Sequence, residues 1–234
     1  MEKNYPEHVA IILDGNRRWA KRKNLPSLKG HQAGAKNLEK LASYIIDKGV
    51  KYLSVFAFST ENFKRSEEEV KYLMDLFVNW FRHEYDKFHE ENIKVIFSGR
   101  RENLRDDVLE AMDYITEKTA NNTKGTLNVC LNYGGQQEIA DGTKRIAKDI
   151  QDGKISIDDI DEKLLYKYMY NELPPIDFLI RTSGEERISN FMIYELSYAE
   201  MYFPEVCFPD FNEKEFEHAI DVYNERDRRF GGNK

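Results

Sequence analysis

Six short apolar segments alternate along the chain with longer stretches in which apolar residues recur every three or four positions. The short segments are "HVAIIL" (8–13), "YLSVFAF" (52–58), "IKVIFS" (93–98), "LNVCLNY" (127–133), "DFLIR" (177–181) and "EVCF" (205–208). Most are apolar nearly throughout, which is typical of strands covered on both faces. The longer stretches predict helices at about 31–48, 66–91, 102–119, 136–152, 160–171, 188–200 and 212–226. This alternation predicts an α/β fold with a six-stranded, mostly parallel sheet flanked by about seven helices.

Polar residues stand where several of these predicted strands end. Asp14, Ser59 and Arg181 each lie at or just past the end of a different strand. In open parallel sheets, ligands bind beyond the carboxyl ends of the strands. We therefore expect these three residues to share one edge of the sheet.

The predicted helix 66–91 is apolar on more than one side. Ser66 followed by Glu69 has the spacing of a capping box, which marks the start of a helix. The apolar positions are Val70, Leu73, Met74, Phe77, Phe81, Tyr85 and Phe88, with Leu76, Val78 and Trp80 on other faces. Such a helix must bury more than one face. Two interpretations stay open: a core helix with a dimer contact, or a helix that lines an apolar tunnel.

The composition fits one globular domain that spans residues 1–234. The formal net charge of −7 argues against a general nucleic-acid binder, so any anion site must be a local cluster of arginine and lysine. Cys130 and Cys207 lie far apart in apolar runs, as reduced core thiols do. The polar first residues and the short apolar runs predict neither a signal peptide nor a membrane span, so we expect a cytoplasmic protein.

Arginine clusters carry the candidate chemistry, since the sequence lacks a P-loop, a G-x-S-x-G elbow and a zincin histidine pair. The clusters are "DGNRRW", "ENFKR" and "IRTSGEERISN", with Arg17, Arg18, Arg65, Arg181 and Arg187. Arginine is preferred where planar phosphate groups are bound through two contacts. One such arginine would indicate a surface salt bridge, but three clusters near strand ends favour a site for two phosphate-rich ligands.

Two carboxylates complete the candidate chemistry. Asp14 follows a buried strand, and taken alone it would indicate a turn or a helix cap. Glu200 stands among apolar and aromatic residues in "LSYAEMYF", where a buried carboxylate needs a partner. A divalent cation shared with a diphosphate would satisfy both residues, because Mg²⁺ typically binds one or two carboxylates together with substrate phosphates.

At this point the motifs resemble those of the cis-prenyltransferases, in particular the bacterial undecaprenyl diphosphate synthases. The matching stretches are "HVAIILDGNRRWA", "GHQAG", "FAFSTENFKR", "LNYGG", "IRTSGEERISNF", "YAEMYF", "FPDF" and "RRFGG", which run from about residue 8 to 232. The resemblance implies a six-stranded sheet, a homodimer and a Mg²⁺-dependent condensation of isopentenyl diphosphate with an allylic diphosphate such as farnesyl diphosphate. Its expected product is a long Z-polyprenyl diphosphate such as undecaprenyl diphosphate, a lipid carrier precursor for cell-wall glycans.

By motif position, the resemblance also implies roles for individual residues. Asp14 would be the essential carboxylate and, with Glu200, a ligand of Mg²⁺, while Asn62 would lie where a proton leaves isopentenyl diphosphate. The implied substrate-binding residues are Gly15, Asn16, Arg17, Arg18, Trp19, Ser27, His31, Ser59, Thr60, Glu61, Phe63, Arg65, Arg181, Arg187, Ile188 and Ser189. Among them, Arg181, Arg187 and Ser189 would bind isopentenyl diphosphate. The terminal stretch 229–231 would reach the partner's site.

The chain departs from the family pattern at four positions. Arg17 stands where glycine is usual, and Ser27 stands where arginine is frequent, so we expect Arg17 or Lys29 to supply the missing charge. Phe63 replaces a usual tryptophan, and Ser183 replaces a usual glycine. These changes bear on substrate affinity and product length and leave the reaction class intact.

Three alternatives to a long-chain synthase stay open at this stage. Ala57, a small residue, favours an open tunnel and a long product, whereas a short- or medium-chain synthase is the alternative within the enzyme class. A non-catalytic partner subunit of the same fold would tend to lack the motifs found here. A soluble isoprenoid carrier would bind apolar ligands without Mg²⁺. For a long apolar product, we expect peripheral contact with the inner face of the membrane at release.

Overall fold

A six-stranded sheet with eight α-helices makes up the computed structural model, which describes residues 3–83 and 85–226. The strands are β1 (His8–Ile12), β2 (Tyr52–Ser59), β3 (Ile93–Ser98), β4 (Gly125–Tyr133), β5 (Phe178–Arg181) and β6 (Glu200–Tyr202). The α-helices are α1 (Asn16–Arg22), α2 (Ser27–Asp47), α3 (Glu67–His83), α4 (Tyr85–Glu90), α5 (Asp106–Thr119), α6 (Gly135–Gln151), α7 (Glu162–Lys167) and α8 (Glu213–Asn224). Short 3₁₀ helices cover Thr60–Lys64, Ile157–Asp159 and Phe208–Asp210.

The strand order is β3-β4-β2-β1-β5-β6, and all five neighbouring pairs are parallel. This confirms the predicted single-domain α/β fold. β1 is buried on both faces: Val9 and Ile11 join one apolar cluster, and Ala10 and Ile12 join another. From β1 the chain continues to β2 on one side, and β5 later pairs with β1 on the other side. Such a switch in strand order opens a crevice at the carboxyl ends of the strands.

Two predicted elements in the last third of the chain are wrong. Residues 188–199 form turns and irregular backbone instead of a helix, and Ser189, Asn190 and Met192 have positive φ angles that a helix cannot contain. The last strand is Glu200–Tyr202 instead of 205–208. Residues 205–208 are irregular because their backbone bonds are made elsewhere: Ser183 N–H donates to Val206 O, and Phe208 N–H donates to Asp14 O.

Two helical segments also differ from expectation. Helix α1 was not predicted, and α2 begins at Ser27, ahead of the expected residue 31. The predicted helix 66–91 corresponds to α3 and α4. Within the described part of the chain, none of the helices has the length and apolar character needed to cross a membrane. The terminal stretch 229–231 lies outside the described residues.

Candidate active site

Asp14 lies at the carboxyl edge of the sheet, two residues after β1 ends. Its backbone oxygen accepts hydrogen bonds from Thr182 Oγ1 at 2.7 Å and from Phe208 N–H at 3.0 Å, so two separate segments fix its position. Its side chain is 28% exposed and points to Arg181, whose Nη2 donates to Oδ2 at 2.8 Å. Partial burial would raise the pKa of Asp14, but the hydrogen bond and charge of Arg181 outweigh burial and lower the pKa below its ordinary value.

Two glycines allow the backbone to pack closely around Asp14 and Asn16. Gly15 has a φ of +99°, and a Cβ there would lie 2.6 Å from Ser183 Oγ. Its N–H donates to Asp14 Oδ1 at 2.6 Å. On α2, a Cβ at Gly34 would lie 2.3 Å from Asn16 Oδ1. The start of α2 therefore packs against α1 at a distance that only glycine permits.

Arg181 joins the loop that follows β5 to Asp14. Its side chain is 5% exposed, and Nη1 donates to the Arg187 carbonyl at 2.5 Å and to Ser189 Oγ at 2.7 Å. Glu185 connects two more guanidiniums, accepting from Arg18 Nη1 at 2.9 Å and from Arg187 Nη1 at 2.5 Å. The first and third arginine clusters of the sequence thus meet at one site, as predicted.

The second cluster lies beside the carboxyl end of β2. The Asn62 side chain folds back so that Oδ1 accepts the Ser59 N–H at 3.1 Å. Glu61 contacts Asn190 Nδ2 at 3.4 Å, which links this segment to the loop that carries Ser189. Thr60 has a buried hydroxyl with no hydrogen-bond partner among the described residues. These contacts bring the ends of β1, β2 and β5 together, which confirms the shared edge expected from the sequence.

Glu69 draws three basic side chains together at the start of α3. Its Oε1 lies 3.0 Å from Arg65 Nη1 and 3.4 Å from His31 Nε2, and its Oε2 lies 3.9 Å from Arg17 Nη1. Burial, and then the charge of Arg65, lower the pKa of His31 below its ordinary value, while Glu69 acts in the opposite direction. In the sequence Glu69 stands out only as part of a capping box, although the Arg65–Glu69 spacing is also that of a helical ion pair.

Two cavities adjoin at Asp14. The first, which we call the cationic cavity, measures about 780 Å³ and is lined by polar residues that include Arg17, Arg18, Lys21, Ser27, His31 and Arg65. The second, the apolar cavity, measures about 630 Å³ and extends from Asp14 and Asn62 to Phe77, Trp80 and Phe81. Asp14, Asn16, His31 and Arg65 line both cavities. A charged chamber and an apolar chamber therefore meet at one carboxylate.

Helix α3 forms one long wall of the apolar cavity. On this helix the lining residues run from Leu73 to Phe81, eight positions, so the cavity reaches about 12 Å along the helix at 1.5 Å per residue. At its deep end, Trp80 packs edge-on against Phe81 and Phe88. Ala57 also lines this cavity. Of the two interpretations left open for this helix, the structure supports the apolar tunnel.

Five residues with implied substrate-binding roles line neither of the two cavities: Trp19, Thr60, Phe63, Arg187 and Ile188. Trp19 donates from Nε1 to Asp210 Oδ1 at 2.8 Å, and Lys23 Nζ lies 4.4 Å from the centre of its ring. Phe63 packs edge-on against Phe58. Ile188 packs against the second apolar cluster of the core. Their contacts with substrate stay predictions.

The expected pairing of Glu200 with Asp14 at one metal is not formed within the chain. In the sheet register Glu200 is level with Phe178, whereas Arg181, the partner of Asp14, is level with Ile12. The level of Glu200 therefore lies about 10 Å along the strands from the level of Arg181 and Ile12. The Glu200 carboxylate instead accepts from Arg226 Nη1 at 2.8 Å.

Asp14 is nevertheless suited to a metal that arrives with a phosphate. Among the described residues, no group of three or more His, Cys, Asp and Glu could hold a metal ion. A single partly exposed carboxylate beside a cationic cavity matches Mg²⁺, which keeps few protein ligands and binds phosphate oxygens. The donor set therefore fits a metal that the substrate helps to hold.

Comparison with known proteins agrees with this geometry. The family model described as "Putative undecaprenyl diphosphate synthase" matches residues 12–231. The chain belongs to this prenyltransferase family. The prenyltransferase is 47% identical over 234 residues to an isoprenyl transferase of Fusobacterium nucleatum. The alignment covers 100% of this chain and 99% of the relative. It is 44% identical to the ditrans,polycis-undecaprenyl-diphosphate synthase ((2E,6E)-farnesyl-diphosphate specific) of Pasteurella multocida, over 98% of this chain and 96% of the relative.

A solved structure supports the same placement. The lavandulyl diphosphate synthase of Lavandula x intermedia, crystallised with dimethylallyl diphosphate, matches with a TM-score of 0.94 and 33% sequence identity. The match covers 97% of this chain and 98% of that one. The prenyltransferase is thus a transferase of isoprenyl groups with a cis-prenyltransferase fold, as the motifs predicted. Its metal, primer and product length are matters of proposal.

Proposed function

We propose that this prenyltransferase condenses isopentenyl diphosphate units with an allylic diphosphate, farnesyl diphosphate in particular, and makes a long Z-polyprenyl diphosphate such as undecaprenyl diphosphate. The observation that carries the proposal is the junction at Asp14, where the cationic cavity meets the apolar cavity. An allylic diphosphate has a head with several negative charges and an apolar tail, and the two cavities match these parts in order. The relatives with named primers differ: two are specific for geranylgeranyl diphosphate, one for (2Z,6E)-farnesyl diphosphate and one for (2E,6E)-farnesyl diphosphate. The last of these supports the choice of primer proposed for this chain.

In the proposed reaction the allylic C–O bond breaks, a C–C bond forms to the terminal carbon of isopentenyl diphosphate, and one proton leaves. Arg17, Arg18 and Arg65 stabilise the charge that develops on the leaving diphosphate, which is commonly the largest catalytic contribution. When bound, Mg²⁺ supplies further neutralisation of that charge, and Asp14 together with phosphate oxygens would hold it. The loop with Arg181 and Ser189 binds the diphosphate of the incoming isopentenyl unit.

Asn62 orients a group at the reacting centre and does not itself take the proton. Its Oδ1 accepts the Ser59 N–H, so the side-chain NH₂ is the part free to face a ligand. An amide NH₂ donates hydrogen bonds and has no basic lone pair. We therefore assign Asn62 to the positioning of a phosphate oxygen or a water, and that group accepts the proton.

The proposal includes a homodimer that works in the cytoplasm and releases its product at the inner face of the membrane. Burial in a dimer interface would remove exposed apolar side chains from water, among them Tyr198 at 69% exposure, Ile157 at 70% and Ile160 at 47%. Sedimentation of the purified chain measures the oligomeric state. Co-sedimentation with lipid vesicles, with and without product, measures the membrane contact.

The proposal is tested by incubating the purified chain with farnesyl diphosphate, labelled isopentenyl diphosphate and Mg²⁺, and by sizing the product with mass spectrometry. We expect a long Z-polyprenyl product and no product after chelation of Mg²⁺. A product with one or two added units would replace the long-chain assignment with the short-chain alternative. Lack of incorporation at every Mg²⁺ concentration would refute the enzyme proposal.

Separate binding regions for the two substrates are tested with Arg187→Ala. The KM for isopentenyl diphosphate should rise more than the KM for the allylic substrate, because Arg187 belongs to the loop after β5. Lys21→Ala, at the cationic cavity, is the reciprocal variant. Equal effects of Arg187→Ala on both constants would contradict the assignment.

A further inference from the structure

Glu69 lies behind the cations of the cationic cavity. It is within ion-pair distance of Arg17 on α1, His31 on α2 and Arg65 ahead of α3. Its side chain is 14% exposed, so solvent screens these contacts only partly. His31 and Arg65 themselves line both cavities. One carboxylate therefore ties together basic groups from three segments that face the place where a diphosphate would bind.

The guanidiniums of Arg17 and Arg65 converge on Glu69, and their mutual repulsion would drive them apart unless a negative charge held them. Glu69 supplies that charge, aided by its position in the first turn of α3, where helices favour acidic residues. The same charge repels a bound diphosphate, because it acts across the few ångströms of cationic side chain that separate the two. Glu69 thus preorganises the cavity and also weakens its affinity for anions.

A weakened affinity is useful in a repeated reaction. Under the proposed function, each condensation leaves inorganic pyrophosphate among these cations, and the site must empty before the elongated chain is bound there again. A cavity with uncompensated arginines would retain the pyrophosphate. Product release limits turnover in many enzymes, so the affinity for the leaving group has an upper limit set by the need for release.

We propose that Glu69 is a positioning residue that holds Arg17, His31 and Arg65 in place and limits their affinity for inorganic pyrophosphate, so that pyrophosphate leaves after each condensation. This inference rests on the proposed function, since it requires the cationic cavity to bind a diphosphate. It leads to an unusual expectation: removal of the negative charge makes anion binding tighter.

The test is calorimetric titration of the full chain with inorganic pyrophosphate at fixed ionic strength. We compare wild type with Glu69→Gln, and use Glu68→Gln as the matched control because Glu68 is an exposed acid in the same helical turn. Glu69→Gln should bind pyrophosphate about tenfold more tightly, which corresponds to ~1.4 kcal/mol. Glu68→Gln should stay within about twofold of wild type, as expected of a screened surface charge. Equal or weaker binding by Glu69→Gln would overturn the inference.

Two further measurements separate the possible failures. Absence of pyrophosphate binding by wild type would overturn the proposed anion site itself, whereas wild-type binding without a gain in Glu69→Gln would overturn only the role of Glu69. If Glu69→Gln fails to fold, Glu69→Asp takes its place in the titration. Its shorter side chain keeps the negative charge but moves it away from the cationic side chains, so it should bind pyrophosphate about threefold more tightly than wild type. In turnover assays, Glu69→Gln should show a lower kcat and stronger inhibition by pyrophosphate, with no increase in the KM for the allylic substrate. An increased KM with unchanged inhibition would indicate a purely structural role.

Discussion

The ion pair between Asp14 and Arg181 should contribute measurably to folding as well as to catalysis. Arg181 is almost fully buried and Asp14 is 28% exposed, with 2.8 Å between the charged atoms. Breaking a fully buried pair by removing one partner costs about 3–5 kcal/mol. Because Asp14 is partly hydrated and Arg181 keeps two other acceptors, we expect a coupling energy of about 2 kcal/mol.

A double-mutant cycle with Asp14→Asn and Arg181→Met measures this coupling through urea denaturation at pH 7 without ligand. The chain offers a matched control in Arg101 and Asp113, which are joined at 2.7 Å but are 52% and 64% exposed. The control pair should couple by at most about 1 kcal/mol and should weaken with added salt, whereas the buried pair should change little. Equal coupling energies for the two pairs would refute the argument that burial makes the Asp14 pair strong.

The sign of the pH dependence follows from the same contact. The pKa of folded Asp14 lies below its ordinary value of 3.8, so the unfolded chain takes up this proton first as the pH falls. The stabilisation is therefore complete at neutral pH and is lost as the pH falls through the lowered pKa of the folded state. A coupling energy that grew on acidification would contradict this assignment.

Three further predictions concern other parts of the fold. Burial lowers the pKa of His8 to about 4, so the free energy of unfolding of wild type should fall by about 3 kcal/mol between pH 7 and pH 4 because of this residue. In urea denaturation His8→Gln should show a smaller fall over the same pH range. Equal falls for wild type and His8→Gln would contradict the prediction. Trp80→Leu should deepen the apolar cavity and lengthen the product seen by mass spectrometry, and a shorter product would argue against Trp80 as its end wall. A Cβ at Gly30 would lie 1.9 Å from the Asn16 carbonyl oxygen, so Gly30→Ala should destabilise the chain by about 2 kcal/mol in thermal denaturation, and unchanged stability would show that the helices separate freely.

The edge of the sheet at which the site lies was predictable from the sequence because parallel strands end on the same side. The strands that precede Asp14, Ser59 and Arg181 were recognisable from their apolar runs alone. Once these strands pair in parallel, the geometry of the sheet places all three residues together. The reaction class followed from motifs whose order the structure preserves.

The segment 188–200 shows why part of the site was not predictable. Its apolar spacing resembles a helix, but long-range contacts outweigh that preference. Asn190 accepts the Gly135 N–H at its carbonyl and the Gln136 N–H at its side chain, and so caps α6 from a positive-φ conformation. Arg181 likewise binds the Arg187 carbonyl. The bond between Gln136 and Asn190 joins residues more than fifty positions apart, and the periodicity of the sequence cannot reveal such a contact.

For Glu200 and Glu69, the local sequence context did not predict the partner of the side chain. Glu200 has the sequence context of a buried functional acid, yet the strand register places it away from Asp14. Glu69 has the context of a helix cap, yet the crossing of α1 and α2 brings Arg17 and His31 to it. In both cases the partner is set by the packing of whole elements, which local sequence does not encode.

Asp14→Asn tests most directly whether Asp14 acts in the reaction at the junction of the cationic cavity and the apolar cavity. The measurement is the rate of label transfer from isopentenyl diphosphate to farnesyl diphosphate, with binding of isopentenyl diphosphate and thermal stability recorded on the same protein. We predict a rate at least about a thousandfold below wild type, with the variant folded and its binding of isopentenyl diphosphate within about threefold. A folded Asp14→Asn variant that transfers label at more than a tenth of the wild-type rate would contradict the account.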